Sequence, residues 1–61
     1  MKEAIRVVLV DDQELYREGN ALLLDATEDI VVVGEADTGE EALHAIAEAK
    51  PDIVLMDILM P

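Results

Sequence analysis

Three aspartates stand at the ends of two short apolar runs. Asp11 and Asp12 follow the run Ile5–Val10, and Asp57 follows the run Ile53–Met56. If the two runs are neighbouring parallel strands, the three carboxylates meet at the carboxyl edge of one sheet, where open α/β folds bind their ligands. Carboxylates held close together repel one another, so this cluster predicts a cation, a proton or a phosphoryl group beside it.

A simpler interpretation exists for each acid taken alone. Asp11 and Asp12 are also typical of a turn and a helix cap, and Asp57 is typical of a turn that ends a strand. The two apolar runs, the helix-like segments between them and the position of all three acids favour a common site. The turn after the first run has no glycine-rich phosphate loop, which argues against a nucleotide-binding half domain.

The segments that must position these acids alternate between two periodicities. Ile5–Val10, Ile30–Ala36 and Ile53–Met56 are short, β-branched runs typical of buried strands. Between them lie two amphipathic patterns with helical spacing. The first pattern predicts a core stripe on one face and solvent contact for Glu14, Arg17, Glu18 and Asp25; its stripe consists of Leu15, Gly19, Leu22, Leu23 and Ala26.

The second helical pattern carries clear start and stop signals. Thr38 is predicted to cap its first turn, with Glu41 reaching back to the Thr38 amide. Pro51 disfavours helix at Lys50 and so ends it. Its core stripe is Ala42, Ala45, Ile46 and Ala49. The order is therefore β-α-β-α-β, and right-handed crossovers make the sheet parallel. Gly19, inside the first helix, is expected to allow close packing on the sheet.

Composition excludes several classes of function. The 61-residue chain has no cysteine, a single aromatic residue (Tyr16) and a formal net charge of −11. The electrostatic field of so negative a chain repels phosphate backbones, so direct binding to nucleic acid is not expected. There is no hydrophobic signal core and no run approaching the roughly 20 apolar residues of a membrane span. We expect a single small domain located in the cytoplasm.

The sequence resembles a known family at the residues that carry the acids. The segments Val7–Asp12 and Asp52–Pro61 are similar to the receiver domains of two-component response regulators. Arg17–Gly19, Val33–Ala36 and Thr38–Leu43 are similar to the subgroup with a C-terminal helix-turn-helix effector. The resemblance implies a flavodoxin-like doubly wound α/β sheet, of which the chain would form the βαβαβ half with strand order 2-1-3.

The resemblance also implies a role for each acid. Asp57 would be the phosphoacceptor and also a Mg²⁺ ligand, Asp12 would coordinate Mg²⁺ directly, and Asp11 would help to hold the ion, often through water. The backbone carbonyl of Leu59 would supply a further ligand. The phosphoryl donor would be a sensor histidine kinase or a small phosphodonor. Such a module is a signalling switch, associated with transcription, rather than an ordinary enzyme.

Some features of the family are expected to lie beyond Pro61. These are the last two strands with their helices, the switch Ser or Thr, and the Lys that pairs with the phosphoryl group. Residues 1–61 would then be a truncated receiver, with the edge of Ile53–Asp57 open to a homodimer by strand pairing or by exchange of elements. The alternative is an engineered or truncated folding scaffold with an inactive site. Asn20 and Leu59 depart from the subgroup, which usually has an apolar and a basic residue there.

Overall fold

Five elements follow one another in the predicted order. A computed structural model describes residues 4–57, with the side chain of Asp57 outside that description. The elements are the strand β1 (Ile5–Asp11), the helix α1 (Glu14–Asp25), the strand β2 (Ile30–Ala36), the helix α2 (Gly39–Ala49) and the strand β3 (Ile53–Asp57). Within the described residues, no helix is long and apolar enough to cross a membrane.

The three strands form one parallel sheet with β1 in the centre. The order β2-β1-β3 confirms the predicted order 2-1-3. Val7 of β1 pairs with Ile53, and this register continues to Asp11, which pairs with Asp57. The pairing with β2 shifts by one residue between Val7 and Val8. The two acids that end β1 and β3 are therefore direct neighbours across the sheet.

The core lies on both faces of β1. Four consecutive residues of this strand are buried, as expected of a central strand covered by helices on each side; they are Val7, Val8, Leu9 and Val10. On the α2 side, Val8 and Val10 pack with Ala36 and Ala42. Burial of β1 on both faces is what brings its last residue, Asp11, below the protein surface.

Helix α2 begins and ends as the sequence predicts. The Thr38 side chain accepts a hydrogen bond from the Glu41 amide at 3.1 Å. The Glu41 carboxylate reaches back to the Asp37 amide at 3.5 Å, one residue before the predicted partner Thr38. Lys50 ends the helix in the left-handed conformation, with φ of 49°, and its amide donates to the Ile46 carbonyl. The core stripe of α2 is confirmed, because Ala42 is buried and Ala45, Ile46 and Ala49 are half-buried.

Helix α1 packs on the sheet with a different face from the one predicted. The leucines of the predicted core stripe are 72–79% exposed; they are Leu15, Leu22 and Leu23. The inward face carries Arg17, Ala21 and Leu24, which recur at i, i+4 and i+7. The short side chain of Ala21 permits close approach, and the Arg17 stem packs while its guanidinium finds polar partners. The prediction that Arg17 faces solvent was wrong for the same reason.

Gly19 does not serve the packing role that its position suggested. A β-carbon at this residue would have no heavy atom within 4 Å apart from those of its neighbours and its own helix. We expect Gly19→Ala to stabilise the fold by about 1 kcal/mol, because alanine is the better helix former and nothing obstructs its methyl group. Urea unfolding followed by circular dichroism measures this.

The matched control is the reverse change on the same helix. Ala21 is buried against the sheet, so Ala21→Gly is expected to lose about 1 kcal/mol of propensity and some packing as well. A loss of stability in Gly19→Ala would show that Gly19 is needed for a close contact after all.

Candidate functional site

The end of β1 holds a carboxylate that is buried and only partly satisfied. Asp11 is 2% exposed. Its Oδ1 atom accepts a hydrogen bond from the Gln13 amide at 2.9 Å. Its Oδ2 atom is buried and has no hydrogen-bond donor among the described residues. A buried charged oxygen without a partner is costly, so this atom indicates that a ligand completes the site.

Asp12 lies beside Asp11 in the turn between β1 and α1 and is exposed. The N-cap residue of α1 is Gln13 rather than Asp12, and the Gln13 side chain makes no capping hydrogen bond. Instead, the Asp11 side chain holds the Gln13 amide. The carboxylate of Asp12 is thus left available to solvent or to an ion, while Asp11 shapes the turn that carries it.

Asp57 is placed by its backbone. It is the last residue of β3 and is the register partner of Asp11. Neighbouring strands in a sheet lie about 4.8 Å apart, so the backbones of the two residues lie side by side at the carboxyl edge of the sheet. The carbonyl of Leu59, the fourth predicted ligand, lies outside the described residues.

The donor set suits a hard divalent cation. Among the residues whose side chains are described, no three His, Cys, Asp or Glu groups form a metal cluster. Asp11 and Asp12 supply two neighbouring carboxylates, and the backbone register adds a third acid, Asp57. Mg²⁺ takes oxygen ligands, keeps several waters, and uses one or two carboxylates. The buried Oδ2 atom of Asp11 therefore fits a site that a magnesium ion or its bound water would complete.

Arg17 contacts the end of β1 beside the acids, a position that was not predicted from the sequence. Its Nη1 atom donates to the backbone carbonyl of Asp11 at 2.8 Å. Its Nε atom lies 3.4 Å from Oε1 of Glu35 on β2. The spacing Arg17, Ala21, Leu24 was the available signal, because it marks a second helix face with small and apolar residues beside the arginine.

His44 does not join the acids. It is exposed on α2. The acids at the carboxyl edge are therefore the candidate site for chemistry in the described part of the chain.

Comparison with known proteins gives a consistent result. Residues 7–61 match the family described as the response regulator receiver domain. The chain is 51% identical over 57 residues to the response regulator GacA of Pseudomonas viridiflava, covering 93% of this chain and 27% of that protein. It is 48% identical over 56 residues to the transcriptional regulatory protein LiaR of Bacillus subtilis, covering 92% and 26%. The chain thus spans about a quarter of the length of these curated relatives.

Two solved structures share the fold. One is described as the signal receiver domain of a NarL response regulator from Mycobacterium tuberculosis; it superposes with a TM-score of 0.87 at 46% identity, covering 97% of this chain and 48% of that one. The other is a LuxR-family two-component response regulator from Aurantimonas sp. SI85-9A1, with a TM-score of 0.85 at 39% identity, covering 97% and 42%.

Proposed function

The chain belongs to the response regulator receiver domain family, and from that premise we propose that it accepts a phosphoryl group on Asp57 in a Mg²⁺-dependent reaction. The observation that carries the proposal is the pairing of Asp57 with Asp11, whose buried Oδ2 atom has no donor among the described residues. Two acids side by side, one with an unsatisfied oxygen, suit a site that binds a cation and a phosphoryl group in turn.

The residues have separate roles in this proposal. A carboxylate oxygen of Asp57 forms the new bond to phosphorus. The bond from phosphorus to the donor's nitrogen or oxygen breaks, and its electron pair leaves with the donor, so the product is an acyl phosphate. Asp11, Asp12, Asp57 and the Leu59 carbonyl would hold Mg²⁺, which would neutralise charge on the phosphoryl oxygens.

The donor is proposed to be the phosphohistidine of a sensor kinase. Receiver domains interact with histidine kinases, and the relatives include proteins named as transcriptional regulators. We propose that the protein takes part in cytoplasmic signalling to transcription. Direct DNA binding is not proposed for this chain, because its net charge of −11 opposes it.

The experiment is intact-mass spectrometry of the chain with acetyl phosphate, with and without Mg²⁺. We expect one added phosphoryl group per chain when Mg²⁺ is present and none when it is chelated. An unmodified chain in the presence of Mg²⁺ would contradict the proposed function and favour an inactive scaffold.

We also propose that two copies of this chain pair through β3. The outer edge of β3 has no partner strand among the described residues, and Ile53, Leu55 and Met56 are exposed. An apolar outer strand is a template for another strand. A twofold axis normal to the sheet would join the two β3 strands antiparallel in a six-stranded sheet.

Native mass spectrometry over a range of protein concentrations tests this assembly. The dimer is expected to increase with concentration, whereas a monomer at every concentration would contradict pairing through β3. The oligomeric state does not test phosphorylation of Asp57, and phosphorylation does not test pairing through β3.

A further inference from the structure

Arg17 is a charged residue whose side chain is largely buried. Its side chain is 16% exposed, and basic side chains at this degree of burial are normally paired. Within the described residues, the Arg17 guanidinium contacts two groups, and both lie on the sheet rather than on its own helix. Its Nη1 atom donates to the Asp11 carbonyl at 2.8 Å, and its Nε atom lies 3.4 Å from the Glu35 carboxylate.

These two contacts tie three elements together at the acidic edge. Glu35 belongs to β2, Arg17 to α1 and Asp11 to β1. Between Asp11 and α1 lies the turn that presents the Asp12 carboxylate. The Asp11 side chain holds this turn at the Gln13 amide, and Arg17 holds it at the Asp11 carbonyl. The backbone beneath both acids is therefore fixed from two directions.

The positive charge of Arg17 would not by itself favour cation binding at the neighbouring acids. The other described basic residues lie elsewhere: the Arg6 guanidinium donates to the Ala49 carbonyl near the end of α2, and Lys50 ends that helix. A fixed positive charge beside a cation site opposes cation binding. The benefit of Arg17 must then come from geometry, since its planar guanidinium offers several donors in fixed directions.

We propose that Arg17 is a positioning residue for the magnesium site, itself oriented by Glu35. It sets the turn so that the Asp11 and Asp12 carboxylates stand in the arrangement that binds the ion. This inference rests on the proposed function, because it assumes that these acids bind Mg²⁺. Groups outside the ligand shell that orient ligands typically change metal affinity by about 10- to 100-fold when removed.

The test is isothermal titration calorimetry of the chain with MgCl₂, which measures the Mg²⁺ affinity. The variants separate the effect of the Arg17 charge from the effect of its donor geometry. Arg17→Met removes the charge and every donor but keeps an unbranched stem. We expect it to weaken Mg²⁺ binding by about tenfold. Arg17→Lys keeps the charge and loses the forked donors, and we expect a loss of Mg²⁺ affinity smaller than that of Arg17→Met. Glu35→Gln, which removes the ion pair, is expected to weaken binding by only about twofold, because a partly exposed ion pair contributes little.

Arg6→Met is the matched control. It makes the same change in charge and also removes a contact to a helix carbonyl, but at a point away from the acids. Its Mg²⁺ affinity is expected to match that of the wild type even if its stability falls. Circular dichroism at the titration temperature checks that each variant is folded, and Arg17→Lys decides the question if Arg17→Met is unfolded.

The outcomes separate this inference from the proposed function. Unchanged or tighter Mg²⁺ binding in Arg17→Met, or in Arg17→Lys if only that variant folds, would overturn the positioning role while leaving the metal site intact. A wild-type chain that binds no Mg²⁺ would overturn the metal site and the positioning role together.

Discussion

Asp57→Asn is expected to abolish phosphorylation of this chain by a small phosphodonor. The amide differs from the carboxylate by little in size, but it lacks the anionic oxygen that would attack phosphorus. The backbone position is unchanged, because Asp57 ends β3 in register with Asp11. Incubation with acetyl phosphate and Mg²⁺, followed by intact-mass spectrometry, should therefore give the phosphorylated form for the wild type alone.

The control for this loss is Asp37→Asn. Asp37 is an exposed acid that directly follows β2, so its replacement makes the same change in net charge at the same edge of the sheet. We expect this variant to be phosphorylated as the wild type is. Equal modification of the Asp57→Asn variant would mean that another residue accepts the phosphoryl group.

Asp11→Asn is expected to move stability and metal binding in opposite directions. In the absence of Mg²⁺ the buried Asp11 carboxylate leaves Oδ2 without a donor among the described residues, and Asp12 and Asp57 lie nearby in the chain and the sheet. Removing the charge should stabilise the ion-free fold by about 1–3 kcal/mol. The Oδ1 atom of asparagine can still accept from the Gln13 amide, so the turn is retained.

The same substitution should weaken Mg²⁺ binding at least about tenfold, because it removes one of the few carboxylates that can hold the ion. Urea unfolding without Mg²⁺ and calorimetric titration with Mg²⁺ measure the two effects. Asp37→Asn should change neither. If Asp11→Asn destabilised the ion-free fold, the buried carboxylate would have a structural role that outweighs its cost.

The opposition expected for Asp11→Asn would show that the proposed site lowers the stability of the ion-free fold. Burial of four successive residues of β1 carries Asp11 inward with them. A carboxylate in that place is unfavourable in the ion-free fold, and the proposed Mg²⁺ would offset that cost, which is a common relation between stability and activity. The burial of β1 in the core therefore also places the Asp11 carboxylate in the proposed site.

Much of the fold follows from local patterns in the sequence. The β-branched runs and short connections predict a parallel β-α-β-α-β unit. The order β2-β1-β3 was implied by the resemblance to receiver domains, and the structure and its solved neighbours confirm it. Thr38 and Lys50 predict the limits of α2, because a cap and a residue before proline act locally. The meeting of Asp11 and Asp57 follows once β1 and β3 are neighbours.

The orientation of α1 could not be predicted in the same way. Its exposed leucines form a stripe as regular as its inward face, so hydrophobic periodicity alone chooses the wrong side. The deciding contacts are the close packing of Ala21 and the bonds of Arg17 to Asp11 and Glu35. Glu35 is distant in the sequence, and its contact with Arg17 exists only after the sheet has formed. The role proposed for Arg17 was missed for that reason.

The most direct test of the proposed function is to locate the phosphoryl group on the chain. After reaction with acetyl phosphate and Mg²⁺, the chain would be digested and its peptides analysed by tandem mass spectrometry. We expect a single modified site, Asp57. A phosphoryl group on another acid or on His44, with Asp57 unmodified, would contradict it.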